Sequence, residues 1–119
     1  MRTAATGATR DKAEGKPDYE GYLSPLVIRR YGQYMLEHQT QADGKLRSSD
    51  NWQKGMPTKW YMSSLLRHII DVWTIYRGYK VVDSAGNHVD YEGALCAVLF
   101  NVSGMLLNSL RGNDHDPKE

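Results

Sequence analysis

Asp50 to Trp73, DNWQKGMPTKWYMSSLLRHIIDVW, is the stretch that sets the fold. A turn rich in Asn, Trp, Lys, Gly and Pro runs straight into an amphipathic helix, expected from about Thr58 to Arg77. Met62, Leu65, Leu66, Ile69, Trp73 and Tyr76 follow three-four spacing and define its expected buried face. Gly78 suits the C-terminal stop, and the charge of Arg77 suits that end of the helix dipole.

On the N-terminal side, residues 43–57 collect two Gly, two Ser, two Asp, one Asn and one Pro, a composition for turns and a short helical piece. Loops of this length in compact domains are functional or disordered. Trp52 argues against disorder, because an indole in a polar loop usually pins it to the protein body. Before this loop a first long helix is expected from Ser24 as N-cap, with Pro25 at the first helical position. Leu26, Ile28, Tyr31, Met35 and His38 can share one side of it, and it should end between Thr40 and Gly44. Residues 1–18 show no apolar periodicity and read as a flexible N-terminal tail.

On the C-terminal side, YKVVDSAGNHV (79–89) places β-favouring pieces around a turn, which predicts a short β-hairpin or turn-rich connection leaning on the helices. Asp90 is placed to cap a last helix with Glu92 in its first turn. From Ala94 to Leu110 that helix is apolar nearly all round and should be the most buried. Its one distinct stripe, Ala94, Ala97, Asn101, Gly104 and Asn108, consists of small and amide side chains. Such a stripe admits a close helix or leaves a groove. Gly112 closes the helix, and 113–119 is a polar C-terminal tail. The expected fold is therefore mainly α, a compact helical bundle of three main helices forming one domain over 19–112.

Composition bounds the function. The 119 residues carry 24 % charged and 40 % hydrophobic side chains and a net charge of +1. That balance suits a soluble globular protein and gives no global basic field for nucleic acid. One cysteine, Cys96, excludes an intramolecular disulfide and fits a reducing, cytoplasmic setting. No signal peptide is expected, and no run long and uncharged enough to span a bilayer.

Arg67, His68 and Asp71 lie at offsets of one, three and four, so Asp71 is within reach of both others on a helix. They can serve a phosphorylated or metal-bound ligand, with Arg67 as anion clamp, Asp71 as metal ligand or base and His68 as ligand or proton carrier. The plainer alternative is a surface Arg67–Asp71 pair, contributing well under about 1 kcal/mol, with a boundary histidine. Asn51, Trp52 and Lys54 can offer an amide, a stacking ring and a cation to a nucleotide, or Trp52 can simply anchor the loop. Asn101 lies mid-helix in the most apolar segment, where its amide needs a partner, either a ligand or a neighbouring protein group.

DGKLRSSDNWQKGMP, YMSSLLRHIIDVW and EGALCAVLFNVSGML resemble the short phage and bacterial proteins of the dATP/dGTP diphosphohydrolase N-terminal domain family. That family is similar to the all-α MazG-type nucleotide pyrophosphohydrolases. The shared features are the Asn-Trp-x-x-Gly turn (Asn51, Trp52, Gly55), the Arg67–His68 pair and Asn101, within roughly residues 23–111. The resemblance implies a helical bundle, a homodimer or higher homo-oligomer, that binds a purine deoxynucleoside triphosphate with Mg²⁺ and hydrolyses it in phage nucleotide metabolism. By that resemblance His68 and Asp71 are catalytic, Asn51, Trp52, Lys54, Arg67 and Asn101 bind substrate, and Asp71, Asp90 and Glu92 ligate metal. The Glu-x-x-Glu and Glu-x-x-Asp pairs of MazG-type enzymes do not occur here, and Ala94 and Ala97 stand at the corresponding positions of the last helix.

Overall fold

A computed structural model describes residues 1–113; the expected polar tail beyond Asn113 lies outside the described residues. The chain is mainly α, 53 % helix, with three long helices. In chain order the helical elements are the short α1 (Tyr19–Tyr22), then α2 (Pro25–Glu37), a 3-10 turn (Asn51–Lys54), α3 (Thr58–Tyr76) and α4 (Tyr91–Leu110). Two tiny antiparallel ribbons accompany them: β1 (Arg2–Thr3) with β2 (Thr9–Arg10), and β3 (Val81–Val82) with β4 (His88–Val89). The second is the hairpin expected between α3 and α4, and Asp83 closes its turn by accepting from the backbone N–H groups of Ala85 and Asn87.

Residues 1–18 thus contain a ribbon that the sequence did not suggest, with Arg2 Nε donating to the Asp11 carbonyl. The ribbon is exposed throughout. Ser24 stands at the N-cap of α2 with Pro25 next, but its hydroxyl makes no capping bond. Asp90 does cap α4, accepting from Gly93 N–H at 2.7 Å. Gly78 ends α3 at φ 92°, a conformation open to glycine at little cost.

α3 and α4 pack antiparallel along their lengths, and the stripe of small and amide side chains on α4 is what allows it. Ala94, Ala97, Asn101, Gly104 and Asn108 are all buried. Tyr61 of α3 lies against Gly104 and is 3 % exposed. Its ring meets Phe100 edge-on at 5.9 Å. Asn101 satisfies itself locally, Nδ2 donating to the Ala97 carbonyl at 2.8 Å. Asn108 donates to the Met56 carbonyl (2.9 Å) and the Thr58 hydroxyl (3.1 Å), which fixes the entry into α3.

The inward face of α3 differs from the expected one. Tyr61, Leu65, His68, Val72 and Ile75 are buried or half-buried, whereas Met62, Leu66, Ile69, Trp73 and Tyr76 are exposed. Apolar residues occupy both sides of α3, so periodicity alone could not choose between them. The choice is made by α4, whose narrow stripe accepts the Tyr61 ring over a glycine. On α2, likewise, Tyr31, Tyr34 and Met35 turn inward while Leu26 and Ile28 stay exposed.

One expectation about α4 is corrected. The helix is 20 residues long and an 18-residue window of it has a mean hydropathy of 1.6, so by length and composition it is apolar enough to cross a membrane. The polar groups in its middle are amides, which interrupt a run less than charges do. Buried core helices share these properties.

Candidate functional site

The long loop is ordered by backbone pairing and latches. Thr40 bridges Leu46, Arg47 N–H donates to the Gln39 carbonyl, and Gln41 N–H donates to the Lys45 carbonyl. The 3-10 turn is held by Tyr61 Oη, which donates to the Trp52 carbonyl at 3.5 Å, and by Arg111, which donates to the Gln53 carbonyl. Trp52 meets Phe100 edge-on at 6.3 Å, as its anchoring role predicts.

These contacts leave a pocket of about 510 Å³ between α2, the loop and α4. Such a volume lies in the range of small-molecule sites. Met35, Leu36, Met56 and Phe100 give it apolar walls, and Trp52 contributes an indole. Its polar groups are His38 from the end of α2, Arg47, Ser48 and Ser49 from the loop, and Asn51 from the 3-10 turn. His38 is positioned by stacking on Tyr34 (4.1 Å) and by an Nδ1 contact of 2.8 Å to the Tyr34 carbonyl, to which a protonated Nδ1 donates.

Asn51 and Trp52 are therefore together as expected, but the other expected residues are elsewhere. Lys54 is exposed at the end of the 3-10 turn and does not line the pocket. Arg67 points back along α3, Nη1 donating to the Ser63 hydroxyl at 2.9 Å, so the expected Arg67–Asp71 pair is not made. His68 Nδ1 lies 3.5 Å from Asp71 Oδ2. That is ion-pair range for a protonated imidazole, yet Nδ1 is buried without a hydrogen-bond partner.

Asp90 and Glu92 meet Arg30 rather than Asp71. Arg30 Nε donates to Glu92 Oε1 at 2.8 Å, and Nη2 is 3.7 Å from Asp90 Oδ2. The bond to Glu92 holds the Arg30 guanidinium above its ordinary value against partial desolvation. Among the described residues no three His, Cys, Asp or Glu side chains converge as a metal site. Mg²⁺ prefers several oxygen ligands in near-octahedral geometry. The three expected donors do not fit it as they stand among the described residues: Asp90 and Glu92 are paired to Arg30, and Asp71 stands with an imidazole.

Burial pushes the Tyr34 phenol up to about 12 and raises Tyr31 as well, partly offset there by a bond to Ser103. Burial also raises the Cys96 thiol, against the lowering effect of Arg30. These three groups form the polar seam between α2 and α4, and Cys96 behaves as the small buried side chain expected.

Comparisons with family models, characterised proteins and solved structures returned no significant match. The likeness described above therefore stands on its motif residues alone.

Sequence reasoning missed His38, Arg47, Ser48, Ser49 and Phe100 as pocket residues. Arg47, Ser48 and Ser49 lie one residue before Asn51 and Trp52 in the chain, across Asp50, and were the available signal. Phe100 faces Trp52 only through the packing of α4, which local spacing does not reveal.

Proposed function

We propose that the α2–loop pocket binds a purine deoxynucleoside triphosphate. The supporting observation is the combination, in one cavity of about 510 Å³, of two aromatic rings, an amide and a cationic, hydroxyl-bearing strip. In this reading the base lies against Trp52 and Phe100, where any base presents a stacking face. Asn51 offers donor and acceptor to its edge. Arg47 with Ser48, Ser49 and His38 takes the phosphates, a guanidinium being suited to bidentate phosphate contact. The cytoplasm, which holds such nucleotides, is the setting this assigns.

Mg²⁺-dependent hydrolysis would require carboxylates beyond Asp71, Asp90 and Glu92 as they stand among the described residues, and a partner subunit in the homodimer or higher homo-oligomer implied by resemblance could bring them. A second reading, a non-catalytic helical interaction protein on the same fold, is favoured by the pairing of Asp90 and Glu92 with Arg30 and of Asp71 with His68.

Calorimetric titration with the four deoxynucleoside triphosphates, with and without Mg²⁺, tests the ligand. Binding should be strongest for a purine, weakened by Trp52→Ala and Arg47→Ala, and left unchanged by Asp71→Asn. No heat and no thermal shift with any nucleotide would remove the reading. Phosphate release assayed alongside separates binding from turnover.

A further inference from the structure

Among the residues lining the pocket, His38 is the one whose type changes charge near neutral pH. Its surroundings decide which ring nitrogen is left for a ligand. Nδ1 lies 2.8 Å from the Tyr34 carbonyl oxygen. A carbonyl can only accept, so a hydrogen bond there requires the proton of the neutral ring to sit on Nδ1. Turning the ring over would put a carbon against that oxygen and lose the bond, and the stack on Tyr34, 4.1 Å between centroids, resists the turn. Nε2 is therefore the nitrogen available to a ligand in the cavity. In the neutral ring it is a bare acceptor, which a phosphate oxygen, also an acceptor, repels. Only the imidazolium donates there. The ring is exposed, so it exchanges protons freely with solvent.

The groups around His38 act in the same direction. From the loop comes Arg47, a second cation on the cavity wall. The 3-10 turn contributes Asn51 and Trp52 and α4 contributes Phe100, none of them ionisable. One turn before Phe100, burial keeps the Cys96 thiol protonated. On the helix of His38 itself, Tyr34 stays neutral because burial pushes its phenol up to about 12, and the Glu37 carboxylate accepts from Gln33 Nε2 at 3.1 Å. No carboxylate lines the cavity among the described residues. Two cations on an empty wall repel each other, whereas an anion between them attracts both and favours the charged imidazole.

We propose that His38 binds the phosphate chain only as the imidazolium, through Nε2–H, so that filling the pocket takes up a proton. The ligand class is a polyphosphate anion, and Arg47 with His38 discriminates against an uncharged nucleoside. The inference rests on the nucleotide reading for the base alone, because inorganic tripolyphosphate, which has no base, tests the phosphate contact by itself.

Nitrogen-15 spectra of the free full chain at alkaline pH should show His38 with Nδ1 protonated and Nε2 bare. Titration calorimetry without Mg²⁺, using tripolyphosphate and deoxyguanosine triphosphate in buffers of different ionisation enthalpy, then counts protons. Between about pH 6 and about pH 8 an imidazole loses its charge, and an affinity scaled by the competent fraction should fall roughly tenfold or more. His38→Gln keeps an amide N–H near the place of Nε2 but has no charge to lose. Its affinity should follow only the ligand's own titration, and at the alkaline end the unaltered protein should take up close to one more proton per ligand than the variant. A neutral ring protonated on Nε2 overturns the proposal, as does equal proton uptake by the unaltered protein and His38→Gln. Tripolyphosphate bound with His38-dependent proton uptake, but no nucleotide bound, would support the proposal and remove the nucleotide reading. Binding of neither anion would overturn both.

Discussion

Replacing Gly104 with alanine tests the central contact of the fold. A Cβ at this position would lie 2.7 Å from Tyr61 Cε2 and closer still to Cε1 and Cζ. The ring cannot easily retreat, because it is 3 % exposed, meets Phe100 at 5.9 Å and is tethered through its hydroxyl to the Trp52 carbonyl. Alanine in a helix interior gains about 1 kcal/mol over glycine, while overpacking costs about 1–3 kcal/mol. With so rigid a neighbour the upper end applies, and the net destabilisation is about 2 kcal/mol. For a domain of this size each kcal/mol moves Tm by about 4 °C, so Tm should fall by about 8 °C. Tyr61 also supports the 3-10 turn, so the same substitution should weaken any ligand bound against Trp52. Adding Tyr61→Leu should recover part of the loss, making the double variant less than additive. Thermal denaturation followed by circular dichroism reads both effects. An unchanged or raised Tm would show that the helix gain dominates and that the ring does not rest on the backbone as described.

Asn108→Ala removes two donated bonds and leaves the Met56 carbonyl short of a partner, so it should cost about 1–3 kcal/mol in urea denaturation. Tyr34 has a folded-state pKa raised from 10.0 to about 12. Its stabilising effect is whole below pH 10, falls as the unfolded chain alone ionises, and is lost on passing about 12, an alkaline loss of about 1–2 kcal/mol after allowance for partial exposure. Tyr34→Phe should flatten stability between pH 10 and 12. Trp52→Ala should weaken nucleotide binding by about 1–3 kcal/mol, the value of one base stacked on an aromatic ring, while the helix signal stays constant. Asp71→Asn should change neither stability by more than about 0.5 kcal/mol nor binding, since Asp71 does not line the pocket.

Three helix ends were readable because they depend on neighbours in sequence, whereas α2 stops at Glu37, short of the expected Thr40 to Gly44. Pro25 opens α2, Gly78 closes α3 and Asp90 caps α4 through interactions spanning a few residues. The buried stripe of α4 was readable too, since small and amide residues at three-four spacing in an apolar helix imply a close neighbour. What could not be read was which face of α3 meets that stripe. Leu66 and Leu65 are adjacent leucines, and only the fit of Tyr61 over Gly104 turns one inward and the other out. The pocket was half readable for the same reason. Asn51 and Trp52 announced themselves in one loop, whereas Phe100 reaches them from almost fifty residues away.

The antiparallel register also explains why the ionic cluster and the pocket are separate. Asn108 meets Thr58, and Gly104 meets Tyr61. Carried one turn and then another along the pair, that register sets His68 and Asp71 opposite the region of Ala97 and Ala94, both buried. Methyl groups there let the helices close, and closure leaves no room between α3 and α4 for a bound phosphate. The space that remains lies on the α2 side, walled by Phe100, where the loop delivers Arg47 and two serines.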